Sequence, residues 1–254
     1  MDYLTEGFPV LTLMSLNSFN EEIISYSKDN KAEEICGFVL LCPDNSVEIT
    51  KEVNVNPDPS KSFSISPQKF INYSINRKIL GIYHSHPFSD ESPSAQDILC
   101  SEESGIPYLI YSLQTNKFFL YYPESYDPAE LIGRPYVKGF YECTCLLKDY
   151  FLTNLNLNIT KWNKNYWLTD SDDEANDLLI NILNNNTKNI EIKEIKEHDI
   201  LVFQIKNNGR KHVGIYLGND YFIHQCGNTI SRKQLLDNRW QSKIKRAYRH
   251  PSLV

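Results

Sequence analysis

The chain reads as two α+β domains of different kinds, and three features predict this. Its 254 residues suffice for one large domain or two small ones. The segment YYPESYDPAELIGRP, residues 121–135, carries Pro123, Pro128 and Pro135 in a polar stretch, the composition of a linker. No internal repeat relates the two sides, so duplication of one domain is not expected. The expected domains are residues 1–125 and 126–254.

Helical and strand patterns alternate before the linker. Ser18 and Glu21 stand three apart as in a capping box, and Phe19, Ile23 and Tyr26 follow at helical spacing. Strand-like runs are predicted at 36–42, 47–53, 78–84, 107–113 and 117–122. After the linker, Cys143, Leu146, Leu147, Tyr150 and Phe151 form one apolar stripe and predict a helix over 143–151. A second helix is predicted from Ser171, with Glu174 completing its capping box and Ala175, Leu178, Leu179, Ile182 and Leu183 on its buried face. The Asn-rich stretches TNLNLNITKWNKN and NNNTKN read as loops. Strands are predicted at 200–205, 212–217 and 221–225.

Composition excludes several classes. A net charge of −6 and a pI near 5.6 argue against wholesale attraction to phosphate backbones. Arg232, Lys233, Arg239, Lys243, Lys245, Arg246 and Arg249 cluster late in the chain and read as a solvated surface. No run approaches the ~18 apolar residues of a membrane span. MDYLTEGFPVLTLMSL lacks the basic and apolar regions of a secretory signal, so folding in a reducing cytoplasm is expected. The six cysteines form no CxxC pair, which argues against a zinc finger or a disulfide scaffold.

The segment GIYHSHPFSDESPSAQD, residues 81–97, carries chemistry. His84 and His86, two apart at the end of a strand pattern, leave the same face and can share a metal. Asp97 lies eleven residues beyond His86, three after Ser94, which reads as the start of a helix. Two histidines and one aspartate suit zinc and leave a fourth position for water. A proton acceptor must come from elsewhere, and Glu34 in AEEICGFVL is the upstream candidate, although chemistry alone does not separate it from Glu33. Ser94 is placed to donate to an oxyanion. Singly, Ser94 and Asp97 are no more than a helix cap and its partner.

EICGFVL followed by HSHPFSDESPSAQD resembles the JAMM (MPN-type) metalloproteases. The resemblance implies an α/β domain with a mixed sheet and zinc held by His84, His86 and Asp97. It also implies Glu34 as general acid/base, since the family's Glu stands three before a Gly, here Gly37, and Ser94 as oxyanion donor. That family hydrolyses amide or isopeptide bonds.

A second cluster lies beyond the linker. Cys143 opens its helix, where the helix dipole is expected to favour thiolate. It shares the buried stripe, whereas Cys145 points the opposite way. If Gly218, Asn219 and Asp220 form a three-residue hairpin loop, Leu217 pairs with Tyr221 and Gly214 with His224. His212 and His224 are then diagonal neighbours on one face, and His212 can deprotonate Cys143 while His224 orients it. A two-residue loop would break this arrangement. His198 and His250 have no such context.

YECTCLLKDYF, HDILVFQI and KHVGIYLGNDYFIHQ, in that order, resemble the NlpC-type papain-like endopeptidases of bacterial cell walls. The resemblance implies Cys143 as nucleophile, His212 as base and His224 as the orienting third residue. Glu142 departs from the family's usual Asp before the nucleophile. Joined, the halves are similar to the tail tip assembly proteins of lambda-like phages, with LIGRPYVKGFYECTCLLKDYF at the junction. That similarity implies assembly with other tail tip proteins in the host cytoplasm, delivery with the virion tail tip and action on peptidoglycan peptides. A purely structural tail role and an isopeptidase of the deubiquitinase type are the alternatives.

Overall fold

The computed structural model describes residues 18–157, 159, 171–227 and 229–254. They fall into two compact units, one closing at Asp127 and the other running from Pro128 to Val254.

The first unit contains α1 (Ser18–Asp29), β1 (Cys36–Leu41), β2 (Val47–Ile49), α2 (Pro67–Ser74), β3 (Lys78–His86), α3 (Ala95–Ser104), β4 (Tyr108–Ser112) and β5 (Lys117–Tyr121). Its sheet runs β2-β1-β3-β4-β5 and is mixed: β3 and β4 are parallel, and the other neighbours are antiparallel. A parallel pair needs a crossover, and α3 supplies it. This connection returns the chain from the end of β3 through α3, so the sequence after His86 passes the strand's C-terminal end.

β3 is buried from Leu80 to His86, as expected of a central strand covered on both faces. Phe38, Leu40, Ile82 and Tyr108 form one core layer, against which Phe63, Ile65, Tyr73 and Ile79 pack. On the other face the Tyr83 ring crosses directly over Gly37, and its hydroxyl donates to the Thr50 carbonyl at 2.6 Å.

Two features differ from the sequence reading here. The strand expected over 47–53 ends at Ile49, and only Glu52 bridges again to Cys36; Val53 is 76% exposed, with no apolar layer to hold it. α2 was not expected: none of its residues is fully buried, and its eight residues offer only Phe70 and Tyr73, three apart, to Phe38; Pro67 marks its start. Ser18 opens α1, and the residue before it lies outside the described residues.

The second unit contains α4 (Cys143–Leu155), α5 (Asp172–Asn186), β6 (Lys188–Ile190), β7 (Ile200–Gln204), β8 (Lys211–Tyr216), β9 (Tyr221–His224), β10 (Arg232–Leu235), α6 (Asn238–Gln241) and β11 (Ile244–Arg249). The sheet order is β10-β9-β8-β7-β11-β6, antiparallel throughout, and α4 packs on β8.

The Asn-rich stretches are not simply loops. α4 takes in Thr153 to Leu155 before Asn156 ends it with a left-handed residue. NNNTKN closes α5 and opens β6, because Asn186 and Thr187 bond back to the Ile182 and Leu183 carbonyls. Residues 158 and 160–165 of the first stretch lie outside the described residues. Ser171 caps α5 as expected, accepting from the Glu174 N–H. The late basic run is only partly a solvated face. β10 and β11 belong to the sheet, and Ile244, Ala247 and Tyr248 are buried among the charges. Arg249 donates to both oxygens of buried Asp199 at 2.7 Å.

Candidate functional site

In the first unit the strand end and the helix start converge. Continuing the β1–β3 register, in which Cys36 faces His84, places Glu34 across from His86 on the same face. Beyond the ladder, Ile35 donates to Ser85 Oγ and Ser85 N–H donates back to the Ile35 carbonyl, which holds the two strand ends together. Glu34 is anchored through its backbone, its N–H to the Pro59 carbonyl and its carbonyl to the Asn54 side chain. Glu34 is 7% exposed, whereas Glu33 is exposed to solvent.

His84 Nε2 lies 3.1 Å from His86 Nε2, and Asp97 oxygens lie 3.3 Å and 3.5 Å from those two nitrogens. For comparison, tetrahedral zinc with bonds of ~2.0–2.1 Å sets its ligand atoms roughly 3.3–3.4 Å apart. Two imidazole nitrogens so close to a carboxylate fit one shared cation. His86 is oriented from behind by its Nδ1, 2.7 Å from the Asp90 carbonyl, and His84 is stacked on Phe63 with ring centres 4.5 Å apart. His84 Nδ1 is buried without a hydrogen-bond partner.

The electrostatics follow from burial. Burial lifts the Glu34 carboxyl to about 7, with His86 opposing and Asp97 adding to the rise. Burial also resists ionisation of Asp97, but both histidines and Ser94 overcome it and hold the carboxyl well below its ordinary range. Burial lowers His84. It also opposes the protonation of His86, where the Asp97 side chain and the Asp90 carbonyl win and raise it.

Ser94 caps α3. Its N–H and hydroxyl donate to one Asp97 oxygen at 2.8 Å and 2.6 Å, and its oxygen accepts the Asp97 N–H at 3.1 Å. The single hydroxyl proton of Ser94 is therefore engaged by Asp97.

In the second unit the hairpin loop is Gly218, Asn219 and Asp220, all at positive φ. Leu217 N–H bonds the Tyr221 carbonyl, and Gly214 pairs with His224. The three-residue register thus puts His212 and His224 on one face, with His212 Nε2 3.0 Å from His224 Nδ1. Cys143 begins α4 beside β8, and its thiol is met by the backbone N–H of Val213, the neighbour of His212.

The expectation of a thiolate at Cys143 is corrected. Burial, then the charge of Glu142, push the thiol up to about 12, and these outweigh the helix start. Burial also depresses His212 to about 3, so the resting groups are thiol and neutral imidazole. Cys145 is half-buried and donates to the Gly139 carbonyl, away from the histidines. His198 meets the Tyr150 hydroxyl, and His250 caps the last turn of the chain.

One residue of this cluster was missed. Cys226 Sγ lies 3.5 Å from His212 Nε2 and 3.4 Å from His224 Nδ1. The signal was available: Cys226 stands two residues after His224, as His86 does after His84, just past the end of β9.

Comparison with known proteins agrees with this division. Residues 17–122 match the prokaryotic homologs of the JAB domain, and residues 133–249 match the NlpC/P60 family. The chain joins a JAB-type domain to an NlpC/P60 domain. It is 22% identical over 202 residues to the tail tip assembly protein K of Escherichia phage N15, covering 78% of this chain and 80% of that one. The tail tip assembly protein K of Escherichia phage lambda is 21% identical over 187 residues, covering 73% of this chain and 89% of the other. A solved JAB1/MPN domain protein of Archaeoglobus fulgidus is 18% identical, covers 44% of this chain and 88% of its own, and has a TM-score of 0.30.

Proposed function

We propose that the chain is a tail tip assembly protein with two hydrolytic sites, one in its JAB-type domain and one in its NlpC/P60 domain. The observation that carries the first site is the convergence of His84, His86 and Asp97 within 3.5 Å of one another around a common point. These residues would hold zinc, which when bound brings a water to a pKa of ~7 and polarises a carbonyl. Glu34 then takes a proton and delivers it to the leaving amine. Its burial raises the carboxyl towards neutrality, and a cation nearby draws it down again. Ser94 orients Asp97, and it serves an oxyanion only by turning its hydroxyl away from that carboxylate.

In the second site Cys143 is the nucleophile, His212 the base and His224 the residue that fixes the ring. With the His212 Nε2 proton donated to His224 Nδ1, the other His212 nitrogen is left as the acceptor. Peptidoglycan peptides are the substrate class this reading assigns to the second site. The burial of Cys143 beside Glu142, which pushes the thiol up to about 12, favours a second reading for this half, a structural tail component whose thiol is inactive.

The parent, Glu34→Gln and Cys143→Ala proteins, assayed on purified peptidoglycan, separate these readings. Release lost only in Cys143→Ala assigns cell-wall cutting to the thiol. Equal release by all three removes both chemistries. Zinc analysis of the parent and His84→Ala proteins tests the metal, and a parent that binds none ends the zinc reading.

A further inference from the structure

We propose that His212, His224 and Cys226 form a second metal site, one containing sulfur, that takes a thiophilic divalent ion such as zinc. The three contacts are 3.0 Å between nitrogens and 3.4 Å and 3.5 Å from the sulfur to each nitrogen. Tetrahedral zinc with bonds of ~2.0–2.1 Å to nitrogen and ~2.3 Å to sulfur would set these at roughly 3.4 Å and 3.6 Å. The ligand atoms are therefore already close to the edges of one coordination polyhedron.

Hydrogen bonds alone do not account for the triangle. An imidazole nitrogen either donates its proton or offers one lone pair, not both. The His212 proton given to His224 uses both nitrogens at once. With each nitrogen limited to one role, at most two of the three close contacts can be hydrogen bonds at once, even with the sulfur as a weak acceptor. A cation in the middle accepts one lone pair from each corner, and the thiol releases its proton to solvent as it binds.

The backbone prearranges the set. Gly214 pairs with His224, and the same antiparallel register carried outward places Cys226 opposite His212. Phe203, Phe222 and Trp240 surround the two histidines, with ring centres 5.9 Å, 4.6 Å and 4.9 Å away, an apolar shell that strengthens coordination. Cys226 is only half-buried and gives the ion a way in. This donor set differs in kind from the first site, which has two nitrogens and oxygen, and its sulfur selects softer ions.

The consequence for catalysis rests on the thiol reading above. The metal would occupy His212 Nε2 and His224 Nδ1, the atoms of their mutual hydrogen bond. Metal loading and base catalysis at Cys143 then exclude one another, and the ion acts as an off-switch for the second domain.

The test is an anaerobic titration of reduced, metal-stripped full-length protein with cobalt(II). Thiolate ligation gives an intense near-ultraviolet charge-transfer band that a nitrogen–oxygen site lacks. The expected result is that band in the parent, saturating at one equivalent. It should persist in the His84→Ala/His86→Ala double variant and disappear in Cys226→Ser with the loss of one equivalent. A parent with no such band overturns the proposal, whether or not Cys226→Ser folds. A band that survives in folded Cys226→Ser also overturns it, by assigning the sulfur elsewhere. A parent that binds one equivalent only, with the band, keeps this site and removes the metal from the first, so the two claims fail separately.

Discussion

Ser94 and Asp97 hold each other through three hydrogen bonds, and the Asp97 oxygen not engaged there lies 3.3 Å from His84 Nε2. One carboxylate thus closes a helix cap and faces the histidines. Ser94→Ala should lower stability by about 1 kcal/mol through the lost cap. It should also weaken zinc binding roughly 10- to 100-fold, the usual effect of losing a residue that orients a ligand. Asp97→Asn keeps an acceptor for the cap but loses the charge, so it should fold and bind no zinc. Competition against a chromophoric chelator measures both. Unchanged zinc affinity in Ser94→Ala would show that the capping box does not position Asp97.

The sequence made the chemistry of this pair visible but not its dual use. Helix capping and metal ligation were competing readings of Asp97, and the structure sets one carboxylate both in the cap and beside the two histidines. The His212–His224 register was legible for a firmer reason: loop length fixes which face a strand residue takes. Cys226 obeys the same alternation and escaped because it falls just past the run read as a strand. The charge state of Cys143 was not legible, since helix position is local while burial and the neighbouring carboxylate depend on packing. α2 left little trace because its eight residues give only Phe70 and Tyr73 to an apolar side, too short a pattern to read.

Gly37 allows the closest approach in the first sheet. A Cβ there would stand 1.9 Å from the Thr50 carbonyl oxygen and 2.6 Å from the Tyr83 ring. The Thr50 backbone is tied to β1 through its N–H on the Phe38 carbonyl, so this oxygen cannot turn aside freely. Gly37→Ala should therefore separate β1 from its neighbours, at a loss of roughly 3 kcal/mol or more. Because Glu34 and the His84–His86 pair are held across the same strands, zinc affinity should fall with it. Wild-type thermal stability and zinc content in the variant would refute this account of the glycine.

Asp199 ties β11 to the turn before β7. It is fully buried and accepts both Arg249 bonds and the Lys196 N–H. Arg249→Ala leaves that carboxylate buried without its cation, which should cost about 3 kcal/mol. Asp199→Leu/Arg249→Met should recover most of the loss by removing both charges. All three tryptophans, Trp162, Trp167 and Trp240, follow the linker, so their fluorescence in a urea titration reports this half of the chain. Equal stability of parent and Arg249→Ala would mean the pair is idle.

Glu142 gives a pH signature that separates burial from catalysis. Burial raises its carboxyl above the ordinary 4.5, although Thr144 donates to it at 2.8 Å. In the interval between the unfolded and folded values the folded chain binds the extra proton. Stability therefore falls as pH rises through that interval, and the full penalty stands above it. Glu142→Gln keeps an acceptor for Thr144 and never ionises. The variant should be more stable than the parent at pH 8, with the advantage shrinking as pH falls towards 4.5. The charge of Glu142 also raises the Cys143 thiol, so the variant should react faster with iodoacetamide at pH 8. Cys143→Ala in the same background confirms which thiol is read. A pH-independent stability difference, or no gain in alkylation rate, would mean that Glu142 is already neutral beside the thiol and does not hold it protonated.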